Sequence, residues 1–447
     1  MDTPICDFVN RYRQSAGLRL HMPGHKGMAL LGMEQLDITE IAGADELYHA
    51  QGIIRQSEGN AASLFGTART FYSAEGSSLC IRAMLYLALL EGKRRGRAPV
   101  VLAGRNAHKT LMTAAALLDA EIAWLFPEDG SLLACPLTAE GLAKALDGMP
   151  EKPAAVYVTS PDYLGNLLDI RGVAAVCHRA DVPLLVDNAH GAYLRFLPED
   201  QHPISLGADM CCDSAHKTLP CLTGAAYLHI GQGAPALFAG QAERALALFA
   251  STSPSYLILQ SLDACNRVLA EGYRERLAAF TERLKIIKAR LRGHGYALAG
   301  NEPMKLTLAP KSFGYTGEGL HALLRRQGME CEFSDPDFLV IMPAPPTGSA
   351  GLKRLAAALC AVTRRPALPQ LPPPLPQLRR ACSIREAMLA PQETVPASAA
   401  AGRVLADAHA GCPPAVPIAI CGEMLDDAAV RCFQYYKKET CNVVQEI

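Results

Sequence analysis

Between about residue 60 and residue 230, short apolar runs alternate with segments of helical spacing, and this alternation limits the fold more tightly than any other feature. The runs are "PVVLAG" (99–104), "EIAWLF" (121–126), "AAVYVTS" (154–160), "PLLVDNA" (183–189), "MCCDSA" (210–215) and "AAYLHI" (225–230). Segments such as "HKTLMTAAALLDA" and "IRGVAAVCHRAD" lie between them. Strand, helix, strand repeats bury each strand on both faces, so the pattern predicts an α/β fold with a mainly parallel sheet covered by helices. Ligands of such sheets sit beyond the carboxyl ends of the strands. Polar residues that follow an apolar run are therefore the candidates for chemistry.

A chain of 447 residues exceeds one ordinary domain. Residues 255–293 contain no proline and read as helix. They lead into a second unit with a strand ("MKLTLAP"), a helix ("GEGLHALLRRQG"), a strand pair ("MECEFSDPDFLVIMP") and a helix ("GLKRLAAALCAV"). The stretch "RPALPQLPPPLPQLRR" can be neither helix nor central strand and reads as a linker. The expected boundaries are 1–60 for an N-terminal arm, 61–255 for a large domain, 256–365 for a linking helix and a smaller α/β domain, 366–380 for the linker, and 381–447 for a small C-terminal α+β domain.

Basic and acidic residues number 43 and 44, with no sustained basic run beyond "GKRRGR", which argues against a nucleic-acid partner. No apolar run approaches the roughly 20 residues that span a bilayer, so no membrane association is expected. The start "MDTPICDFVNRYRQ" lacks the apolar core of a signal peptide. Fifteen scattered cysteines without a paired CxxC fit reduced thiols, and the expectation is a cytoplasmic enzyme with no structural metal. His21 and His25 have the four-residue spacing of helical zinc ligands, but Pro23 and Gly24 between them disfavour that helix.

Three strand ends carry the chemistry. "VDNAHG" (186–191) closes an apolar run with Asp187 and, three residues on, His190. "DSAHKT" (213–218) places Lys217 in surroundings too small and apolar for a surface amine. "SAEGSSLCIRAMLYLALL" (73–90) sets Gly76, Ser77 and Ser78 before a helix, where free N–H groups and the helix dipole favour an anion. These are the parts of a pyridoxal 5'-phosphate (PLP) site: a lysine for the Schiff base, a carboxylate for the pyridine nitrogen, a small-residue loop for the phosphate. Taken singly, each reads as readily as a solvated lysine, a structural aspartate or a simple N-cap. Their order along one sheet is what is specific.

With these residues in view, the chain resembles the Orn/Lys/Arg decarboxylase family, the group III PLP decarboxylases of the aspartate aminotransferase fold (fold type I), in the short form without the N-terminal receiver-like domain. The resemblance runs through "HMPGHKG" (21–27), "DITEIAGADELYHAQGII" (37–54), "EGSSLCIRAM" (75–84), "NAHKTL" (106–111), "VDNAHGAY" (186–193), "DSAHKTLPCLTG" (213–224) and "STSPSYLIL" (251–259). "SIREAM" and "CPPAVPIAICGE" resemble the family's C-terminal domain. It implies removal of the α-carboxylate of arginine, lysine or ornithine, giving an amine of the kind used in polyamine biosynthesis.

The resemblance also implies roles. Lys217 would hold the cofactor, Asp187 would pair with its ring nitrogen, and His190 would lie beside the ring. His108 would stack on the ring face. Gly76, Ser77, Ser78, Ser214 and His216 would gather at the phosphate. Thr252 and Ser253 would reach the phosphate of a neighbouring subunit, which implies a homodimer or higher homo-oligomer with shared sites. Asp45, Glu46 and Glu423 are candidates for the cationic side chain of a basic amino-acid substrate. The chain departs from the family at Glu75, where a neutral Asn is common, at Thr223-Gly224, at Cys412 and at Cys421. An aminotransferase or lyase of the same fold, with Arg325 or Arg326 as carboxylate ligand, is the nearest rival. A non-catalytic PLP-binding regulatory homologue is another. Trp124, at the end of an apolar run, reads as core.

Overall fold

The computed structural model describes residues 1–15, 17–127, 131–410 and 416–445. Cys412 lies outside the described residues. The chain divides into two compact units. The first comprises Met1–Val100, Leu146–Val158 and Ile170–Glu275; the second comprises Val101–Ala145, Thr159–Asp169 and Arg276–Ile447.

The apolar runs form strands: β1 (Arg69–Ser73), β2 (Val100–Gly104), β3 (Glu121–Leu125), β4 (Ala155–Thr159), β5 (Leu184–Asp187), β6 (Met210–Asp213) and β7 (Ala226–Ile230). Within the first unit the hydrogen-bonded order is β1-β7-β6-β5-β4. Every residue of β5, β6 and β7 is buried, which is why these strands read as continuous apolar runs rather than alternating ones. β5 and β6 pair in parallel, with Asp187 opposite Cys212. β7 returns antiparallel to β6, and β1 antiparallel to β7. The link from β6 to β7 holds only a one-turn helix, Ala215–Thr218, too little for the crossover that a parallel return requires.

The long helix Gly76–Arg94 packs against β6, β7 and the helix Ala236–Phe249. Leu79, Ile81, Met84, Leu85 and Leu87 are all buried on it, each stabilising by roughly 1.5–3 kcal/mol. That burial anchors the helix, and with it the position of its first turn. Residues 255–293 form two helices, Tyr256–Ala270 and Tyr273–His294, separated at Gly272, whose positive φ of 70° ends the first.

In the second unit an antiparallel sheet forms from β8 (Ala297–Ala299), β9 (Leu306–Ala309), β10 (Phe333–Ser334) and β11 (Leu339–Ile341), in the order β10-β11-β9-β8. Leu306, Leu308 and Leu339 pack with Leu320, Leu324, Leu355 and Leu359 of the helices Gly317–Arg325 and Gly348–Cys360. Residues 366–379 carry neither helix nor strand, as their prolines require. Beyond them, Gln392–Pro396 pairs antiparallel with Thr440–Val444 and the helix Asp427–Tyr435 packs alongside, giving the small α+β segment. The chain is thus α/β with a mixed sheet, a smaller sheet-and-helix layer and a C-terminal α+β portion. Among the described residues no helix is long and apolar enough to cross a membrane.

Candidate active site

The first unit brings the ends of β5 and β6 together with the start of the long helix. β5 ends in Asp187, which is 2% exposed. Its Oδ2 accepts a hydrogen bond from the Tyr157 hydroxyl of β4 at 3.1 Å, and its Oδ1 accepts from the Ala189 N–H at 3.1 Å and the Cys212 thiol at 3.7 Å. Burial, and then the neighbouring carboxylate, push the Tyr157 phenol well above its ordinary value, so it stays a donor. Asn188–Gly191 then turns back on itself, closed by Gly191 N–H to Asn188 O at 2.7 Å, and this turn carries His190.

β6 runs into Ser214 and the one-turn helix that carries Lys217. Lys217 Nζ lies 3.1 Å from His190 Nε2. An amine and an imidazole from two adjacent strand ends thus meet. Ser214 Oγ donates to Ser77 Oγ at 2.8 Å, linking the lysine segment to the first turn of the long helix. Gly76 opens that helix with φ +71°, and a Cβ placed there would meet open space. The loop is held from behind by Ser73, whose hydroxyl donates to Gly76 O at 2.9 Å, and by Gly76 N–H to Gly224 O at 2.7 Å. His216 donates through Nδ1 to Ala225 O at 2.9 Å. The Ser77–Ser214 bond thus sets the segment carrying His216 and Lys217 beside the first turn of the long helix, whose free N–H groups favour an anion.

Glu75, the residue before the helix, is tied to the loop at 251–253: its Oε1 accepts from the Ser251 N–H at 2.8 Å. Thr252 and Ser253 follow on the same loop and are exposed. Asp45 is engaged elsewhere. Its two oxygens accept from the N–H groups of Glu46, Gln51, Gly52 and Ile54 at 2.8–3.0 Å, and these hold its carboxyl below the usual range against partial burial. It caps the helix Ile53–Phe65. Glu46 is exposed and pairs with His49.

In the second unit His108 N-caps the helix Lys109–Leu118, its Nδ1 accepting from Thr110 N–H. Glu423 is buried, accepts from Ile420 N–H at 2.8 Å and pairs with Arg105 Nη2 at 2.8 Å. Arg105 lies between the rings of Trp124 and Phe126, at 5.5 and 5.3 Å from their centroids. Trp124 is accordingly half-buried against a cation rather than deep in core. Arg325 is exposed and forked onto Glu330. Cys421 is buried, its thiol donating to Ala406 O at 3.3 Å. Residues 21–27 form turns, not helix, and His25 pairs with Asp37 at 3.3 Å.

Tyr157, Asn188, Asp213 and Arg105 escape sequence reasoning. Each lies inside or beside a recognised run, but its importance depends on a partner distant in the chain. Only an Asp or Arg placed inside an otherwise apolar run signals such a need.

A family model for the Orn/Lys/Arg decarboxylase major domain matches residues 3–292. An arginine decarboxylase of Halalkalibacterium halodurans is 29% identical over 95% of this chain and 91% of its own length. An arginine decarboxylase of Bacillus subtilis is 29% identical over 95% and 92%. The crystal structure of a lysine decarboxylase from Francisella novicida superposes with a TM-score of 0.79 over 99% of this chain and 81% of that one, at 15% identity. The constitutive lysine decarboxylase of Escherichia coli superposes with a TM-score of 0.76, at 18% identity.

Proposed function

The chain belongs to the Orn/Lys/Arg decarboxylase family, and we propose that it removes the α-carboxylate of a basic amino acid, arginine foremost, with PLP held at Lys217. Arginine is favoured because relatives that this chain matches along more than nine-tenths of their length include arginine decarboxylases of Halalkalibacterium halodurans and Bacillus subtilis. The observation that carries the reading is the meeting of Lys217 Nζ and His190 Nε2 at 3.1 Å, beside buried Asp187 and the Ser77–Ser214 link.

The residues fit the cofactor. Open space faces Gly76, where helix N–H groups and the Ser77 and Ser214 hydroxyls offer donors to a phosphate. Asp187 offers an anionic acceptor that would hold a proton on the pyridine nitrogen, and Tyr157 fixes the orientation of that carboxylate. When bound, PLP supplies an electron sink for the pair left behind by the departing carboxylate. Lys217 supplies the amine for covalent attachment, and His190 can take a proton from Nζ or return one to it. For His108, which caps its own helix through Thr110, a role at the ring face rests on the family resemblance alone.

The exposed hydroxyls of Thr252 and Ser253, on a loop tied to Glu75, are proposed to serve the phosphate of a second copy, making the functional unit at least a two-fold dimer. Incubation with arginine, lysine and ornithine, with CO₂ and amine products identified, tests the activity. Keto-acid formation would mark an aminotransferase instead. Borohydride reduction and peptide mapping should place the pyridoxyl group on Lys217, and a tag on another lysine would overturn the assignment.

A further inference from the structure

Behind Lys217 the first unit buries a polar cluster that the reaction chemistry above does not use. Asp213, the last residue of β6, is fully buried with Asn188, His202 and His229. Its Oδ1 accepts from Asn188 Nδ2 at 2.6 Å, and its Oδ2 accepts from His202 Nε2 at 3.0 Å and His229 Nε2 at 3.2 Å. The other ring nitrogens fix the tautomers. His202 Nδ1 accepts from Ile204 N–H at 3.4 Å, and His229 Nδ1 meets the Thr70 hydroxyl at 2.8 Å. Each imidazole thus presents N–H at Nε2 to the carboxylate. Burial alone would raise the Asp213 carboxyl, but the two imidazoles override it and hold the group well below the usual range. Burial lowers His229, and the Asp213 carboxylate opposes that shift. The buried carboxylate is thus satisfied by Asn188, by both imidazoles and, at 3.9 Å, by the Cys211 thiol.

Its place in the sheet gives it a consequence. β5 and β6 pair as far as Asp187 opposite Cys212, with one more backbone rung, Asn188 N–H to Cys212 O at 3.0 Å. The next tie between the chains is the Asn188–Asp213 side-chain bond. Beyond it they part, one into the turn carrying His190 and the other into the helix carrying Lys217. Asn188 Oδ1 is buried and meets no donor among the described residues, so the hydrogen bond to Asp213 alone orients this amide.

We propose that Asp213 is a positioning residue. Clamped by His202 and His229, it holds Asn188 and thereby sets Asp187 and His190 in register with Ser214 and Lys217. A loss of this rung displaces both arms, and displacements of about 1 Å at reacting groups cost about 10²-fold in rate.

The inference rests on the proposed PLP site, and the test separates the two. Wild-type protein reconstituted with PLP is first mapped by borohydride; if the tag is not on Lys217, both readings fall. With Lys217 tagged, Asn188→Ala, Asp213→Asn and the double variant are compared in visible circular dichroism of the bound cofactor, kcat and KM for arginine. The band reports orientation of the chromophore, which a purely structural role would leave unchanged. Each single variant should bind PLP, alter the band, and lose about 10²-fold in kcat with KM changed less than about threefold. The double variant should be no worse than the worse single one, because both act through one bond. Unchanged spectra and kcat in the singles, or losses that multiply in the double, would overturn the inference. If Asp213→Asn fails to fold, Asn188→Ala decides alone, since it leaves the carboxylate and both imidazoles paired. The same cluster includes Cys211, within metal-ligand reach of His202 and Asp213. Stoichiometric zinc in the purified protein would therefore also overturn it, because Nε2 would then be a ligand and not a donor.

Discussion

Replacing Glu423 by glutamine separates two roles for this carboxylate, substrate partner or internal counter-ion. In the structure Glu423 faces Arg105, whose side chain is 1% exposed and whose Nε and Nη1 have no hydrogen-bond partner among the described residues. Burial already lowers the Arg105 guanidinium, and Glu423 is what opposes that shift. Removing one partner of a buried pair costs about 3–5 kcal/mol, because the other charge is left uncompensated. Part of that cost is spared. The amide still accepts from Ile420 N–H, a bond contributing about 1 kcal/mol. The rings of Trp124 and Phe126 still face the cation, at about 0.5–2 kcal/mol. The expected net loss is about 2 kcal/mol. Trp124, the only tryptophan of the chain, sits at the site, so its fluorescence in a urea titration reads the local transition directly. With a slope of about 2 kcal/mol per molar urea, the midpoint should fall by about 1 M. Adding Arg105→Met should recover most of the loss, since the stranded charge is gone. KM for arginine should stay near wild type. A midpoint within about 0.3 M of wild type, together with a tenfold rise in KM, would refute the reasoning and return Glu423 to the substrate.

Asp187→Asn should keep PLP bound, read by absorbance titration, while kcat falls by at least about 10²-fold, since a preorganised charge is lost; near-normal turnover would show that the ring nitrogen is held otherwise. Asp45→Ala should cost about 1.5–3 kcal/mol in denaturant unfolding, with KM for arginine unchanged, because the carboxylate serves backbone N–H groups; a raised KM at unchanged stability would reverse that conclusion. Burial pushes the Glu58 carboxyl up from 4.5 to about 8. Between those values the folded state holds a proton that the unfolded chain has released, so stability falls as pH rises from about 4.5 to about 8. Glu58→Gln keeps the acceptor for Tyr72 N–H and should flatten this slope, leaving the variant the more stable at pH above about 8; an unchanged slope in unfolding measured across that window would count against it.

Much of the fold was legible because burial on both faces writes itself into local composition. All six apolar runs named from the sequence became strands β2 to β7 within two residues of their expected ends. β1 was missed: "RTFYS" is short, begins with an arginine and earns its place only by pairing antiparallel with β7. The helical stretch at 255–293 was right in kind but not in number, because one glycine at positive φ broke it. At the site, Asp187, His190 and Lys217 were legible for a related reason. A charged or imidazole side chain directly after a buried run has few uses that are not chemical or structural.

The sequence alone determined the order of elements and which polar residues stand at strand ends, since both follow from periodicity over a handful of neighbours. Only the tertiary structure decided what those residues face. Glu75 reads from the sequence only as a carboxylate before a helix, and folding ties it to the Ser251 N–H, 176 residues away. Glu423 and Asp45 looked available to a cationic substrate, yet one is claimed by Arg105, 318 residues distant, and the other by a helix start. Asp213 looked like part of a lysine motif and proved to be the hub that ties Asn188 to two histidines. A buried charge must find its partner or lose its charge, and which partner it finds depends on contacts between segments that the chain brings together only when it folds.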